Sequence, residues 1–235
     1  MATSVTLRDA WSGAANCQNC SLRTSVLFAG LKEPDFERIH EPIDQFTLKP
    51  GTSLYRAGDT GDHMFTVRSG TLKLVQYLPD GSQRIVRIVR TTDVLGLEAI
   101  LDNPYHHDAV ALHTTEICRF PARLVRDLGR ENPELHHELM MRWQRALTEA
   151  DAWLTELSTG AARQRVARLL LRLVLNRATS ECHLFSREDM GAMLGVTTET
   201  TSRTIAEFKR QSLLVETAPN LFLLDIPNLR RIAED

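Results

Sequence analysis

The segment FSREDMGAMLGVTTETTSRTIAEFKRQSLLVE, residues 185–216, constrains the fold more than any other part of the chain. Ser186 carries a short oxygen side chain of the kind that accepts from free amides at a helix start, and Arg187 to Leu194 suits a short helix. Gly195-Val196 breaks that helix, and a second restarts at Thr197 or Thr198. The pattern predicts helix, tight turn, helix, with Ala192, Leu194, Val196, Ile205 and Phe208 as the apolar contacts that lock the pair. Thr198, Glu199, Ser202 and Arg203 then share the outer face of the second helix. Such groups suit base edges: arginine donates twice to guanine, glutamate accepts from cytosine, and serine touches a base or a phosphate. Glu199 and Arg203 also stand at i, i+4, the spacing of a surface ion pair worth a few tenths of a kcal/mol. The turn in front of them favours base reading. Beyond it, LLVETAPNLFLLD predicts two short strands around Pro219-Asn220, a wing able to reach the phosphate backbone.

The first half of the chain reads differently. Between Ile43 and Phe120, short runs of Val, Leu, Thr, Phe and Tyr are punctuated by Gly51, Gly58, Gly61, Gly70, Gly81 and Gly96, the spacing of many short strands in a sandwich, roll or barrel. The clearest hairpin is TLKLVQYLPDGSQRIVRIV, with Pro79-Asp80-Gly81 at an exposed tip. After Arg130, Asn132 is a good helix cap, Pro133 fits the first helical position, and neither Pro nor Gly returns until Gly160. One helix of about seven or eight turns is expected. Met140, Trp143, Leu147, Ala150, Leu154 and Leu157 recur along it at alternating spacings of three and four, a heptad seam. A seam of this kind packs on its own domain or on a partner helix. Trp143 and Trp153 near it, with charged residues elsewhere, favour a parallel homodimer, in which Asp151 beside the seam would face a like charge.

Composition sets the outer bounds. A chain of 235 residues, 43% hydrophobic and 25% charged, suits two globular cores. Net charge is −2 overall, but residues 161–235 carry +2 and the remainder −4, a mild asymmetry with little weight alone. No run approaches the roughly 20 apolar residues that cross a bilayer, and the opening lacks the layout of a signal peptide, so a cytoplasmic chain with no membrane partner is expected. No Ser/His/Asp constellation, phosphate-binding glycine loop or His-x-x-x-His site stands at usable spacing, so an enzyme is not expected. A ligand-binding protein unrelated to DNA is the remote alternative. Of the four cysteines, Cys17 and Cys20 lie three apart, Cys118 is distant, and Cys182 reads as a small buried side chain. In a reducing compartment they point to metal binding or redox chemistry. His106-His107 and His136-His137 are adjacent pairs that do not both face one ion.

With its helix-turn-helix, seam and glycine-punctuated strands, the chain resembles the CRP/FNR regulators over nearly its whole length. Its E-x-x-S-R run, Glu199 to Arg203, is similar to the reading motif of the FNR branch. The resemblance implies an α+β fold: an N-terminal cysteine segment (1–27), a cyclic-nucleotide-binding-like β-roll (28–131), a dimerisation helix (132–160) and a winged helix-turn-helix (161–235). It implies double-stranded DNA as partner, a target like TTGAT-N4-ATCAA with one half-site per subunit, and contact with RNA polymerase. Ser202 would sit by a thymine methyl, with Glu199 and Arg203 selecting interior base pairs. The branch that binds cAMP holds the phosphate with an arginine, and His107-Asp108 stands there instead, so cAMP is not expected. The FNR branch holds a [4Fe-4S] cluster through C-x2-C-x5-C and a cysteine in the roll. Cys17, Cys20 and Cys118 match three of these positions, and Val26 stands where the remaining cysteine is expected. A three-cysteine cluster, a thiol-disulfide switch, a haem sensor of nitric oxide, and no small-molecule input all remain open at this point.

Overall fold

The computed structural model describes residues 11–14, 20, 22, 27, 31, 43–176 and 180–234. These form two compact units, Met1–Gln76 with Val86–Thr148, and Glu149–Asp235 with the hairpin tip Tyr77–Ile85.

The first unit is a β-roll. One sheet runs β1 (Trp11–Ala14), β2 (Asp44–Leu48), β9 (Thr115–Pro121), β4 (His63–Ser69), β7 (Val94–Leu95). The other runs β3 (Ser53–Tyr55), β8 (Asp108–Ala111), β5 (Thr71–Tyr77), β6 (Gln83–Arg90). Phe46, Leu48, Met64, Val67, Leu72, Leu74, Ile117 and Phe120 are buried in a single core, those of β2 and β5 by simple alternation along the strand. Each such side chain gains about 1.5–3 kcal/mol by leaving water. The expected hairpin joins β5 to β6, with Gly81 at φ +81°, and the amide of Gly81 donating to the Leu78 carbonyl at 2.9 Å.

After β9, helix α1 (Ala122–Glu131) leads into α2 (Pro133–Ala152). Asn132 caps α2 as expected, its Oδ1 accepting from the Leu135 amide at 3.0 Å. The long helix expected up to Gly160 runs unbroken from Pro133 to Leu157, its last turn, Trp153–Leu157, wound as a π turn. A π turn winds less per residue than an α turn, so the three-residue step from Leu154 does not keep Leu157 on the seam. Leu157 is fully buried within the second unit.

The second unit continues with α3 (Ala162–Leu173), β10 (Val174–Asn176), β11 (Glu181–His183), α4 (Arg187–Leu194), α5 (Thr198–Arg210), β12 (Leu214–Ala218), β13 (Leu221–Leu224) and α6 (Ile226–Glu234). Its sheet, ordered β10-β11-β13-β12, has four strands where the sequence pattern gave two. Val166, Leu169, Leu170, Met190, Leu194, Ile205, Phe208 and Leu229 are buried in this unit. Among the described residues no helix is long and apolar enough to cross a membrane.

Candidate nucleic-acid interface

Helix α4 starts where Ser186 caps it: the Asp189 amide donates to Ser186 Oγ at 3.0 Å, and that hydroxyl donates to Asp189 Oδ2 at 2.8 Å. It stops at Gly195, whose φ of +64° is the left-handed conformation that ends helices. Gly191 has a separate role. A Cβ there would stand 2.7 Å from the Val196 carbonyl oxygen, so only glycine lets the turn fold back this closely. Thr197 caps α5 by accepting from the Thr200 amide at 3.1 Å. Thr201 and Thr204 are buried with their hydroxyls donating to the Thr197 and Thr200 carbonyls, so neither costs an unpaired polar group.

With Thr201, Thr204, Ile205 and Phe208 turned inward, Thr198, Glu199, Ser202 and Arg203 are left exposed on the opposite face of α5. Arg203 Nη2 stands 3.6 Å from Glu199 Oε1, with side chains 71% and 85% exposed. A pair this loose and this wet is worth little and ties neither side chain down. Ala206, also exposed, adds no bulk on the same face one turn further along.

The supports behind α5 went unseen in the sequence. Arg163 on α3 donates to Glu207 Oε1 at 3.1 Å and Gln211 Oε1 at 3.0 Å, and lies over the Phe208 ring. Arg165 donates to the Leu194 carbonyl at 2.7 Å, closing the end of α4. Lys209 pairs with Glu216 at 2.9 Å and sits 4.6 Å from the Phe222 ring centre, which ties α5 to the wing strands. Among these, Lys209 and Glu216 sit at a strand-helix junction whose proximity no local spacing announces.

The roll places the cysteines partly together. Cys118 lies mid-β9, paired with Gln45 on β2 and Thr66 on β4, and is half-buried. Burial pushes its thiol pKa up, and Arg68, with Nη1 3.8 Å from Sγ, opposes that rise. Half-buried Cys20 is close enough to act electrostatically on the Cys118 thiol. Cys17 and Val26 lie outside the described residues. Cys182 is fully buried, as expected of a small apolar side chain. The described donors are thus two thiols and a guanidinium, which is always protonated and ligates no iron. Among the described residues no three His, Cys, Asp or Glu could hold a metal ion.

The region where a cyclic phosphate would bind is also built otherwise. Tyr55 and Tyr105 stack at 4.0 Å, and Tyr105 donates to the His63 carbonyl at 2.8 Å. Burial lowers the His107 pKa below its ordinary 6.5, so the ring is neutral at pH 7. Asp108 Oδ1 is occupied by the Ala57 amide at 2.8 Å. These two positions thus hold a mostly neutral ring and a carboxylate already paired with a backbone amide.

Two family models match the chain, a cyclic nucleotide-binding domain over residues 45–132 and a Crp-like helix-turn-helix domain over residues 164–232. The chain is 28% identical over 226 residues to the transcriptional activator protein anr of Pseudomonas aeruginosa, covering 93% of each. It is 27% identical over 227 residues to the fumarate and nitrate reduction regulatory protein of Vibrio cholerae, covering 94% of this chain and 91% of that one. Its fold is similar to that of FixK2 from Bradyrhizobium japonicum, with a TM-score of 0.73 at 23% identity, over 81% of this chain and 96% of that one. A β-roll matched by the one model, a capped helix-turn-helix matched by the other and full-length likeness to these regulators lead to one conclusion: the chain belongs to the CRP/FNR family of DNA-binding transcription regulators.

Proposed function

We propose that this chain is a homodimeric regulator that reads a palindrome like TTGAT-N4-ATCAA, one half-site per subunit, with redox or oxygen status as its input. The observation that carries the reading is the exposed line of Thr198, Glu199, Ser202 and Arg203 on a helix capped and locked from behind. Arg203 and Glu199 select interior base pairs and Ser202 meets a thymine methyl. The dimer rests on α2, which exposes Met140, Trp143, Leu147 and, past its end, Leu154 on one stripe, with exposed Ala150 and Asp151 alongside. An apolar stripe of this length on an otherwise polar helix fits a second copy of itself. Asp151 opposes that pairing and sets a threshold the input must overcome. The exposed hairpin tip at Asp80-Gly81 is a surface for RNA polymerase, and the protein works in the cytoplasm.

The input is assigned to Cys20 and Cys118, with Cys17 beside them in sequence. Relatives named for fumarate and nitrate reduction support a redox input, and the approach of Cys20 and Arg68 to Cys118 supports the roll cysteine as its seat. Iron and acid-labile sulfide measured on protein purified without oxygen separate this reading from a three-cysteine cluster.

DNA reading is tested by anisotropy titration of the palindrome and a scrambled duplex between 50 and 200 mM salt. The expected result is specific affinity at least about a thousandfold above the scrambled duplex, with both falling steeply as salt rises. Equal affinity for the two duplexes would remove the reading.

A further inference from the structure

The end of the dimer helix does not belong to the roll. From Glu149 onward, the last turn of α2 and the π turn pack into the same compact unit as the helix-turn-helix. Trp153 and Leu157 are buried there, while Leu154 between them is 66% exposed and continues the seam. The π turn therefore lies inside the DNA-reading body, where it anchors the end of the seam-bearing helix. An anchor of this kind needs its backbone fixed, because the carbonyls at a helix end have no partners within the helix.

One side chain supplies them. Arg168, half-buried on α3, donates through Nη1 to the carbonyls of Glu156 at 3.1 Å and Thr159 at 2.9 Å, and through Nε to the carbonyl of Ala233 at 2.8 Å. A single planar guanidinium thus joins the π turn, the turn after it and the end of α6 to α3. Arg172, one turn further along α3, holds the Glu156 carboxylate at 2.8 Å and keeps its pKa below the usual carboxylate range. The Thr155 hydroxyl adds a bond to the Asp151 carbonyl at 3.0 Å, tying the π turn back to α2. The opposite side of α3 carries Arg163, which grips α5 through Glu207 and Gln211. Helix α3 is in this way the strut between the end of the seam and the reading helix.

We infer that Arg168 is a positioning residue for DNA reading: it fixes the angle between the end of the seam, from Glu149 onward, and the reading helix, and so sets the half-site spacing a dimer accepts. The inference rests on the dimeric, palindrome-reading function proposed above. Two recognition helices must stand about 34 Å apart to enter successive major grooves on one face of the duplex. A shift at the anchor changes that distance without touching any residue that meets a base.

The test compares wild type, Arg168→Lys and Glu156→Gln on four duplexes: a single half-site, and palindromes with three, four or five base pairs between half-sites. Lysine keeps the charge but lacks the fork that spans three carbonyls. Arg168→Lys is expected to hold half-site affinity and the dimerisation constant, to lose about tenfold on the four-base-pair palindrome, and to flatten the preference among the three spacings. Glu156→Gln keeps the backbone carbonyl that Arg168 uses, so its spacing preference should match wild type. Equal losses on half-site and palindrome would make Arg168 only a stabilising residue and overturn the inference, as would an unchanged spacing preference in Arg168→Lys. Wild-type protein that binds the palindrome no better than the half-site would instead overturn the dimer reading on which the inference stands.

Discussion

The reading helix and the cysteine region of the roll are built on opposite plans. On α5 every side chain proposed to read DNA comes from a single short segment, with a cap, a glycine turn or a buried threonine within a few residues of it. Around Cys118 the parts come from β9, from Arg68 near the end of β4, and from Cys20 far earlier in the chain. A DNA-reading surface needs only one face of one helix, so its chemistry is local. The proposed input would have to change a contact between distant segments, and its parts are accordingly scattered along the chain.

The comparison can be broken first by removing its common support. Phe208→Ala empties a fully buried ring site behind α5, and should cost about 3–5 kcal/mol of stability in the second unit. Calorimetry should show that loss with DNA binding abolished and the far-ultraviolet signature of the roll retained. A smaller and sharper effect is expected from Arg203→Ala, which should cost about 1–3 kcal/mol on the palindrome and relax preference at one base position. Uniform weakening on all sequences would place Arg203 on phosphate. Ser186→Ala removes the α4 cap and should cost about 1 kcal/mol in thermal or denaturant unfolding, without changing which bases are preferred.

The smallest effect lies in the roll. Because the folded pKa of His107 is depressed below 6.5, the unfolded chain takes up its proton first as pH falls. The contribution of the neutral ring is complete above pH 6.5 and is lost as pH drops through the folded value. His107→Gln should flatten that part of the stability profile, measured by denaturant midpoints between pH 7.5 and 5, and leave DNA selectivity untouched.

The same contrast decides how much was legible in the sequence. Ser186, Gly195 and Thr197 announce the helix-turn-helix because caps and positive-φ turns are local chemistry, and they predicted α4 and α5 nearly to the residue. The exposed members of the seam could be read from their heptad period, but the π turn in which Leu157 is buried could not. Strands β10 and β11 are too short, at three residues each, to show alternation. Arg163, Arg165 and Arg168 look like the solvated face of a helix, since their partners are carboxylates and carbonyls that only the tertiary fold delivers. Arg68 comes to Cys118 through the register of β4 on β9, which no spacing along the chain encodes.

The measurement that tests the central claim most directly is selection of preferred sites from a pool of random duplex DNA, run on wild type and on Arg203→Ala. The account predicts that wild type enriches an inverted repeat with TTGAT-like halves, and that the variant enriches the same repeat with one position per half-site relaxed. A pool without a shared motif, or a motif identical in the two proteins, would contradict base reading by the exposed face of α5.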